Sequence, residues 1–268
     1  GPVPEGDTVW RTARHLDQAL SGRLLTATDF RVPALATVDL VGLLVTSTEA
    51  RGKHLLTRIG PTDSTGYTLH THLKMEGAWH LYRPDTAWKR PAHEARVVLT
   101  TDEWAGVGFS LGITELLDRA DEQTAVAHLG PDLLGSDWDE DEALRRLLAE
   151  PDVPIADALL DQTKLAGIGN LYRSELCFLA GTAPTRPVAD LPDLHRVVRR
   201  AKAMLEANKE RVEQTTTGDL RRGRRTWVYR RDREPCRRCG STIQTAMQGP
   251  TGKERAVYWC PNCQPPDR

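Results

Sequence analysis

The 268-residue chain lacks any apolar run of the length a membrane span needs, and no secretory signal is visible in it. It has almost no net charge, with 36 Lys+Arg against 37 Asp+Glu, although the halves of the chain differ. It is poor in cysteine: four of the five fall in two close pairs, which argues for a reducing compartment and a metal rather than a disulfide scaffold. It has no dinucleotide fingerprint, because in the glycine-rich turn Leu165–Asn170 the glycines are wrongly spaced and no strand precedes them. His70 and His72 stand two apart on a strand and share a face, but no third metal ligand accompanies them, which favours packing or hydrogen bonding there.

What is present is unevenly distributed. From Arg186 onward there are 19 Lys+Arg against 10 Asp+Glu, with 17 against 27 before it. A basic final third with aromatic residues among its arginines suits a module that follows phosphates, or else a solvated charge run. The length admits one large domain or two to three small ones. The opening Pro4-Glu5-Gly6-Asp7-Thr8 precedes a run with Val9, Ala13, Leu16 and Leu20 at helical spacing; Asp7 or Thr8 is the expected cap and Ser21-Gly22 the stop. Gly1-Pro2 reads as the remnant of a cleaved fusion tag, with Val3 where an initiator methionine belongs.

Residues 23 to about 115 read as short strands, at Arg23–Val32, Leu40–Thr48, His54–Ile59, Tyr67–His72 and Ala95–Thr101, and suggest an antiparallel sandwich. The composition changes near 119–136, a domain junction. Helical periodicity follows over Asp137–Glu150, Ile155–Gln162, Leu171–Phe178 and Leu191–Val212. The expected divisions are 4–120 for the sandwich, 121–136 for a linker, 137–225 for a helical domain and 226–268 for a terminal hairpin.

Several residues carry possible chemistry. If Pro4 is the mature first residue, its ring nitrogen is a secondary amine able to attack a sugar aldehyde carbon and give an iminium, with Glu5 to move protons; the alternative is an ordinary Pro-Glu helix start. In the sequence as it stands Val3 acylates Pro4, so no Schiff base is expected there. Lys53, after Gly52 at the start of a strand, is a surface residue or, in a cleft, a phosphate ligand or proton donor. Met75, on the turn Leu73–Gly77, either wedges into a base stack or packs under its loop. The turn Leu165–Asn170 leading into a helix presents backbone N–H groups toward an anion, with Asn170 at the cap, and Cys177 is a buried thiol. Cys236-x-x-Cys239, twenty residues, then Cys260-x-x-Cys263 is the spacing of one structural four-thiolate zinc ion on a two-stranded ribbon. Arg255 lies on the second strand, expected close to the metal and able to reach a phosphate.

Taken in order, Pro4-Glu5-Gly6, Arg51-Gly52-Lys53, His128–Leu134, Leu159–Gln162, Ala166–Asn170 and the four-cysteine ribbon resemble the formamidopyrimidine-DNA glycosylase/endonuclease VIII family across nearly the whole chain. Trp227–Asp232 and Glu254–Cys263 look more like its endonuclease VIII branch, and the Pro-Glu-Gly-Asp-Thr opening is similar to an actinobacterial subgroup. The resemblance implies an α+β multidomain protein: a β-sandwich with flanking helices, a helix–two-turn–helix domain and a zinc-ribbon hairpin, with DNA in the cleft between. It implies a bacterial, cytoplasmic, nucleoid-associated monomer acting on damaged DNA, duplex or single-stranded, as a glycosylase and abasic-site lyase on oxidised pyrimidines. Pro4 would be the nucleophile, Glu5 would handle protons, Lys53 would hold a phosphate and donate a proton, and Arg255 would serve the second elimination. Lys74, Met75, His128 and Asn170 would contact DNA. Lys74 and Glu76 flank the wedge position with charge, Gly106–Glu115 lacks the Arg-Phe loop of the oxoguanine branch, and His128 stands where an arginine is common, so lesion preference stays open. A lyase-only or crosslink-unhooking enzyme, or a non-catalytic damaged-DNA-binding module, are the alternatives.

Overall fold

The computed structural model describes residues 3–266; Gly1 and Pro2, with their expected origin in a tag, lie outside the described residues. Two compact units form among the described residues, Thr8–His128 and a second made of residues 3–7 with residues 129–266. No helix among the described residues is long and apolar enough to cross a membrane.

The first unit is a sandwich of two four-stranded antiparallel sheets. One has the order β1 (Ala27–Phe30), β6 (Ala95–Thr100), β7 (Ala105–Phe109), β5 (Ala78–Tyr82); the other has β2 (Val45–Arg51), β3 (His54–Ile59), β4 (Tyr67–His72), β8 (Ile113–Asp118). Helix α1 (Gly6–Leu20) supplies Val9, Ala13, Leu16 and Leu20, which are buried with Leu55, Ile59, Leu69, Val97 and Leu99 in one core. Each such aliphatic side chain contributes about 1.5–3 kcal/mol on burial. The helix starts before the expected caps, with Asp7 and Thr8 in its first turn. It stops as expected, where Gly22 takes a left-handed φ of 81°.

Three strands are absent from the sequence reading. β7 (Ala-Gly-Val-Gly-Phe) has poor strand propensity, but its glycines answer to packing: a Cβ on Gly108 would meet Leu111 at 2.6 Å and Val97 at 3.0 Å. β1 is shorter than expected, and β2 begins only at Val45 because Gly42, at φ 87°, turns the chain before it.

The second unit is helical, with α2 (Glu140–Leu148), α3 (Ile155–Leu160), α4 (Asn170–Leu179) and α5 (Leu194–Asn208) around a core that includes Leu133, Leu147, Leu159, Ile168, Tyr172 and Leu205. α2 and α5 are shorter than their periodicity because Asp139 and Asp193 cap them, accepting from Glu142 N at 3.0 Å and Arg196 N at 3.1 Å. The same unit carries the hairpin of β9 (Gln244–Gln248) and β10 (Arg255–Trp259).

Candidate functional site

The start of the chain is fastened to the N-terminus of α4. Gly6 N donates to Gly167 O at 2.7 Å, and a Cβ on Gly6 would stand 2.8 Å from the Gly167 Cα, so glycine is required where the two backbones touch. The wholly buried Glu5 carboxylate accepts from Leu171 N at 2.9 Å and from Gly169 N. The anion expected at the glycine-rich turn is thus the protein's own Glu5, set at the positive end of a helix. Asp7, also buried, accepts from the Tyr172 hydroxyl at 2.6 Å and from Gln214 Nε2 at 3.1 Å. Burial, then the Asp7 charge, pushes the Tyr172 phenol well above its ordinary value, so it stays a donor. Gln214 also brackets Val3, accepting from its N at 2.9 Å and donating to its O at 3.0 Å. Pro4, half-buried, stands between these anchors.

Asn170 opens α4, but Gly169 is the cap residue. The Asn170 side chain donates to Ala256 O at 2.6 Å and accepts from Arg173 Nε at 2.8 Å. Arg173, wholly buried, also donates from Nη2 to Arg255 O at 3.0 Å and to Gln248 O at 3.2 Å, with Asp157 3.7 Å from Nη1. One guanidinium therefore ties the start of α4 to both strands of the hairpin, a planar fork matched to several acceptors. Arg255 is exposed at the turn end of β10, opposite Gln248, whereas Cys260 follows the other end. The expectation that it lies close to the metal is corrected: five residues of extended strand separate them by about 17 Å.

Glu175, like Arg173 and Gln214, is a residue that sequence reasoning missed. Wholly buried, its carboxylate accepts from the backbone N of Trp227 at 2.6 Å, Val228 at 2.8 Å and Tyr229 at 3.2 Å, and from the Thr216 hydroxyl. Burial raises its pKa against the pull of these donors. It fixes the segment that leads into the hairpin. Cys177 is buried as expected, and desolvation pushes its thiol up to about 12.

The Sγ atoms of Cys236, Cys239, Cys260 and Cys263 all lie within 4.8 Å of one another, with Cys236–Cys263 at 3.9 Å and Cys239–Cys260 at 3.4 Å. Zinc–sulfur bonds of about 2.3 Å at tetrahedral angles require S···S edges of about 3.8 Å, so the four thiolates could hold one metal ion of that size. It is the one such group of His, Cys, Asp and Glu among the described residues.

The sandwich unit carries the other expected residues. Lys53 is half-buried in the turn between β2 and β3. Met75 is 54% exposed on the β4–β5 turn, and Lys74 beside it takes a left-handed φ of 53°. Arg90 holds that turn from behind, donating to Glu76 O at 3.2 Å and to Ser110 Oγ at 3.1 Å. His70 and His72 do engage in hydrogen bonding: His54 Nδ1 lies 2.7 Å from His70 Nε2, His70 Nδ1 lies 2.6 Å from Glu115 Oε1, and His72 Nδ1 accepts from Lys74 N at 2.9 Å. The exposed His128 ring is 5.9 Å from that of His54. Burial, then neighbouring positive charge, lowers His54 to about 4 and His72 to about 3.

The paired-sheet sandwich and the helical unit with its four-thiolate hairpin share the fold of solved Fpg–DNA complexes. The Lactococcus lactis Fpg in complex with N7-benzyl-Fapy-dG DNA superposes with a TM-score of 0.80 at 22% identity, covering 98% of this chain and 100% of that one. Residues 3–110 match the formamidopyrimidine-DNA glycosylase N-terminal domain, and residues 129–219 match the formamidopyrimidine-DNA glycosylase H2TH domain. The chain belongs to the formamidopyrimidine-DNA glycosylase family. It is similar to the DNA-(apurinic or apyrimidinic site) lyase Nei2 of Mycolicibacterium smegmatis, 52% identical over 98% of this chain and 99% of the relative. It is also similar to endonuclease 8 2 of Mycobacterium tuberculosis, at 48% over 98% and 100%, and to endonuclease 8 of Escherichia coli, at 33% over 98% and 100%.

Proposed function

We propose that the protein is a base-excision-repair enzyme, a DNA glycosylase and abasic-site lyase that removes oxidised pyrimidines through Pro4. The observation that carries this reading is the closure of the Glu5 carboxylate on Gly169 and Leu171, which sets Pro4 beside the start of α4. That start is tied in turn, by Asn170 and Arg173, to the strand bearing Arg255. Nucleophile, proton acceptor and cationic strand thus share one rigid frame.

The chemistry follows from an amine at that place. The lesion leaves the stack at a cost of a few kcal/mol, least for damaged pairs. The Pro4 nitrogen attacks the sugar carbon bearing the base, the base departs with a proton, and the ring opens to an iminium. Glu5 takes the proton that Pro4 loses on attack and passes it to the ring oxygen as the ring opens, and, ionised again, accepts the proton of the neighbouring sugar carbon; the departing base takes its proton from water. The iminium acidifies that carbon, so the 3′ phosphate leaves by β-elimination and the 5′ phosphate then leaves by δ-elimination, assisted by Arg255. Lys53 and Asn170 hold phosphates, Lys53 also donates a proton, and Lys74, Met75 and His128 contact the distorted duplex. One zinc ion on the four cysteines would be structural, its positive charge holding four thiolates together and fixing the hairpin. With Val3 attached, the Pro4 nitrogen is an amide and the chain is inactive as a Schiff-base former; trimming to Pro4 releases the amine.

The test uses protein beginning at Pro4 and duplexes containing thymine glycol, 8-oxoguanine or an abasic site. Base release and incision at thymine glycol are expected, together with incision at the abasic site. Incision at the abasic site alone would reduce the function to a lyase, and binding without incision would overturn it.

A further inference from the structure

The residue that acylates Pro4 marks where a reacting carbon lies. In this chain the Pro4 nitrogen is bonded to the Val3 carbonyl carbon, and on attack the same nitrogen bonds to the sugar carbon. Both carbons carry an oxygen, so the Val3 carbonyl stands in for the C–O unit of a sugar joined to Pro4. Val3 O accepts from Gln214 Nε2 at 3.0 Å, and Val3 N donates to Gln214 Oε1 at 2.9 Å. The direction of this amide is not set by Val3 alone. Gln214 Nε2 also donates to Asp7, at 3.1 Å from Oδ1 and 3.3 Å from Oδ2. A carboxylate can only accept, so Asp7 fixes which end of the amide carries the hydrogens, and it remains when Val3 is removed. Asp7 is itself buried and held by the Tyr172 hydroxyl at 2.6 Å. The backbone next to Gln214 is pinned too: Asn208, at the end of α5, accepts from Thr215 N at 3.0 Å and donates to Thr215 O at 2.9 Å.

We propose that Gln214 is a catalytic residue of iminium formation, its Nε2–H donating to the oxygen on the carbon that Pro4 attacks. The inference rests on the Pro4 amine proposed above: a chain beginning at Pro4 lacks Val3, and the donor that meets the Val3 oxygen then meets the sugar oxygen. On a sugar that bears a base, the Pro4 lone pair forms the N–C bond while the bond to the base breaks, its electron pair going to the base. The nitrogen gives its proton to Glu5 and then forms the C=N bond as the bond to the ring oxygen breaks. That electron pair goes to the oxygen, which takes the proton from Glu5. With an abasic aldehyde, the C=O pair goes to the oxygen on attack; the oxygen takes the Pro4 proton through Glu5 and a second from solvent, and leaves as water. Gln214 transfers no proton in either case. Its hydrogen bond stabilises the negative charge that builds on the oxygen, and a donor held in place before that charge develops is worth about 10²–10³-fold in rate. Both eliminations break bonds farther along the sugar, after the oxygen has left this carbon, so Gln214 does not enter them.

The experiment uses the full chain beginning at Pro4 and abasic-site DNA, with single-turnover borohydride trapping as the measure of iminium formation. Gln214→Met keeps the side-chain length and loses the donor. Its trapping is expected to slow by about 10²-fold or more, with an unchanged Kd for a duplex carrying a tetrahydrofuran abasic-site analogue and an unchanged ratio of β- to δ-elimination products. Gln214→Glu keeps the shape and decides the matter by itself if methionine loosens the fold. Its carboxyl donates only when protonated, so its trapping rate relative to wild type is expected to rise as pH falls from 8 to 5.5, by up to about tenfold per unit. The other ionisable groups around it, Asp7, Glu5, Tyr172 and the Pro4 amine, are common to both proteins and cancel in that ratio. Trapping by Gln214→Met at the wild-type rate, slowing matched by an equal loss of DNA affinity, or a Gln214→Glu ratio level with pH overturns the role of Gln214 and leaves Pro4 as nucleophile. Absence of trapping and incision by the wild type beginning at Pro4 overturns the role and the proposed function together.

Discussion

Gly169→Ala isolates the contact on which the N-terminal frame depends. The backbone there (φ −118°, ψ −162°) is open to any residue, so no conformational strain enters. The added methyl meets the Glu5 carboxylate at 2.6–2.7 Å and must evict it. Eviction costs two hydrogen bonds to a charged group, those from Gly169 N and Leu171 N, each worth about 1.5–3 kcal/mol. Partial rearrangement of a buried carboxylate recovers some of this, so a loss of about 2–4 kcal/mol is expected, with Tm lower by roughly 5–12 °C for a chain of this size. Urea unfolding at pH 7.5 measures it. The decisive comparison places Gly169→Ala in a Glu5→Ala background, where the methyl has nothing to displace and costs less than about 0.5 kcal/mol. Equal costs in the two backgrounds would refute the assignment of the α4 terminus to Glu5.

Glu175→Ala leaves the backbone N–H groups of Trp227, Val228 and Tyr229, the last two buried, without an acceptor, and a loss of about 3–5 kcal/mol with faster hydrogen exchange at those residues is expected; native-like protection there would contradict it. His54 and His72 are held near 4 and 3 when folded but titrate near 6.5 when unfolded, so the unfolded state binds more protons below that value. Stability therefore falls as pH drops from 7.5 to 5, by up to about 1.4 kcal/mol per unit for each ring, and urea midpoints that stay level over this range would contradict the assignment. Chelation of the zinc ion proposed for the four cysteines is expected to unfold the hairpin and abolish DNA binding while leaving the sandwich sheets protected from exchange; retained affinity in chelator-treated protein would count against the ribbon. Arg255→Ala, in protein beginning at Pro4, keeps β-elimination and loses δ-elimination, and unchanged end products would remove Arg255 from the reaction.

The four-cysteine hairpin was legible because metal geometry dictates its spacing, and α1 because its apolar period is undiluted. The sandwich was legible as a class but not strand by strand: β7 owes its existence to neighbours that leave room only for glycine at 108, which no propensity reports. The site divides the same way. Pro4, Glu5, Asn170 and Arg255 stand out locally, by position or by a glycine turn. Arg173, Glu175 and Gln214 do not, because their partners are 75, 52 and 211 residues away in the chain. A charged residue inside an apolar helical stretch, as Arg173 and Glu175 are in α4, was the available signal. Arg255 was placed on the correct strand but at the wrong end, since hairpin register is set by the turn rather than by the metal.

Borohydride trapping on abasic-site DNA tests the amine at Pro4 most directly. Protein trimmed to Pro4 should give a covalent adduct that maps by mass to Pro4, and the chain that retains Val3 should give none there. Equal trapping of both forms, or incision by the trimmed protein with no adduct at Pro4, would contradict the account.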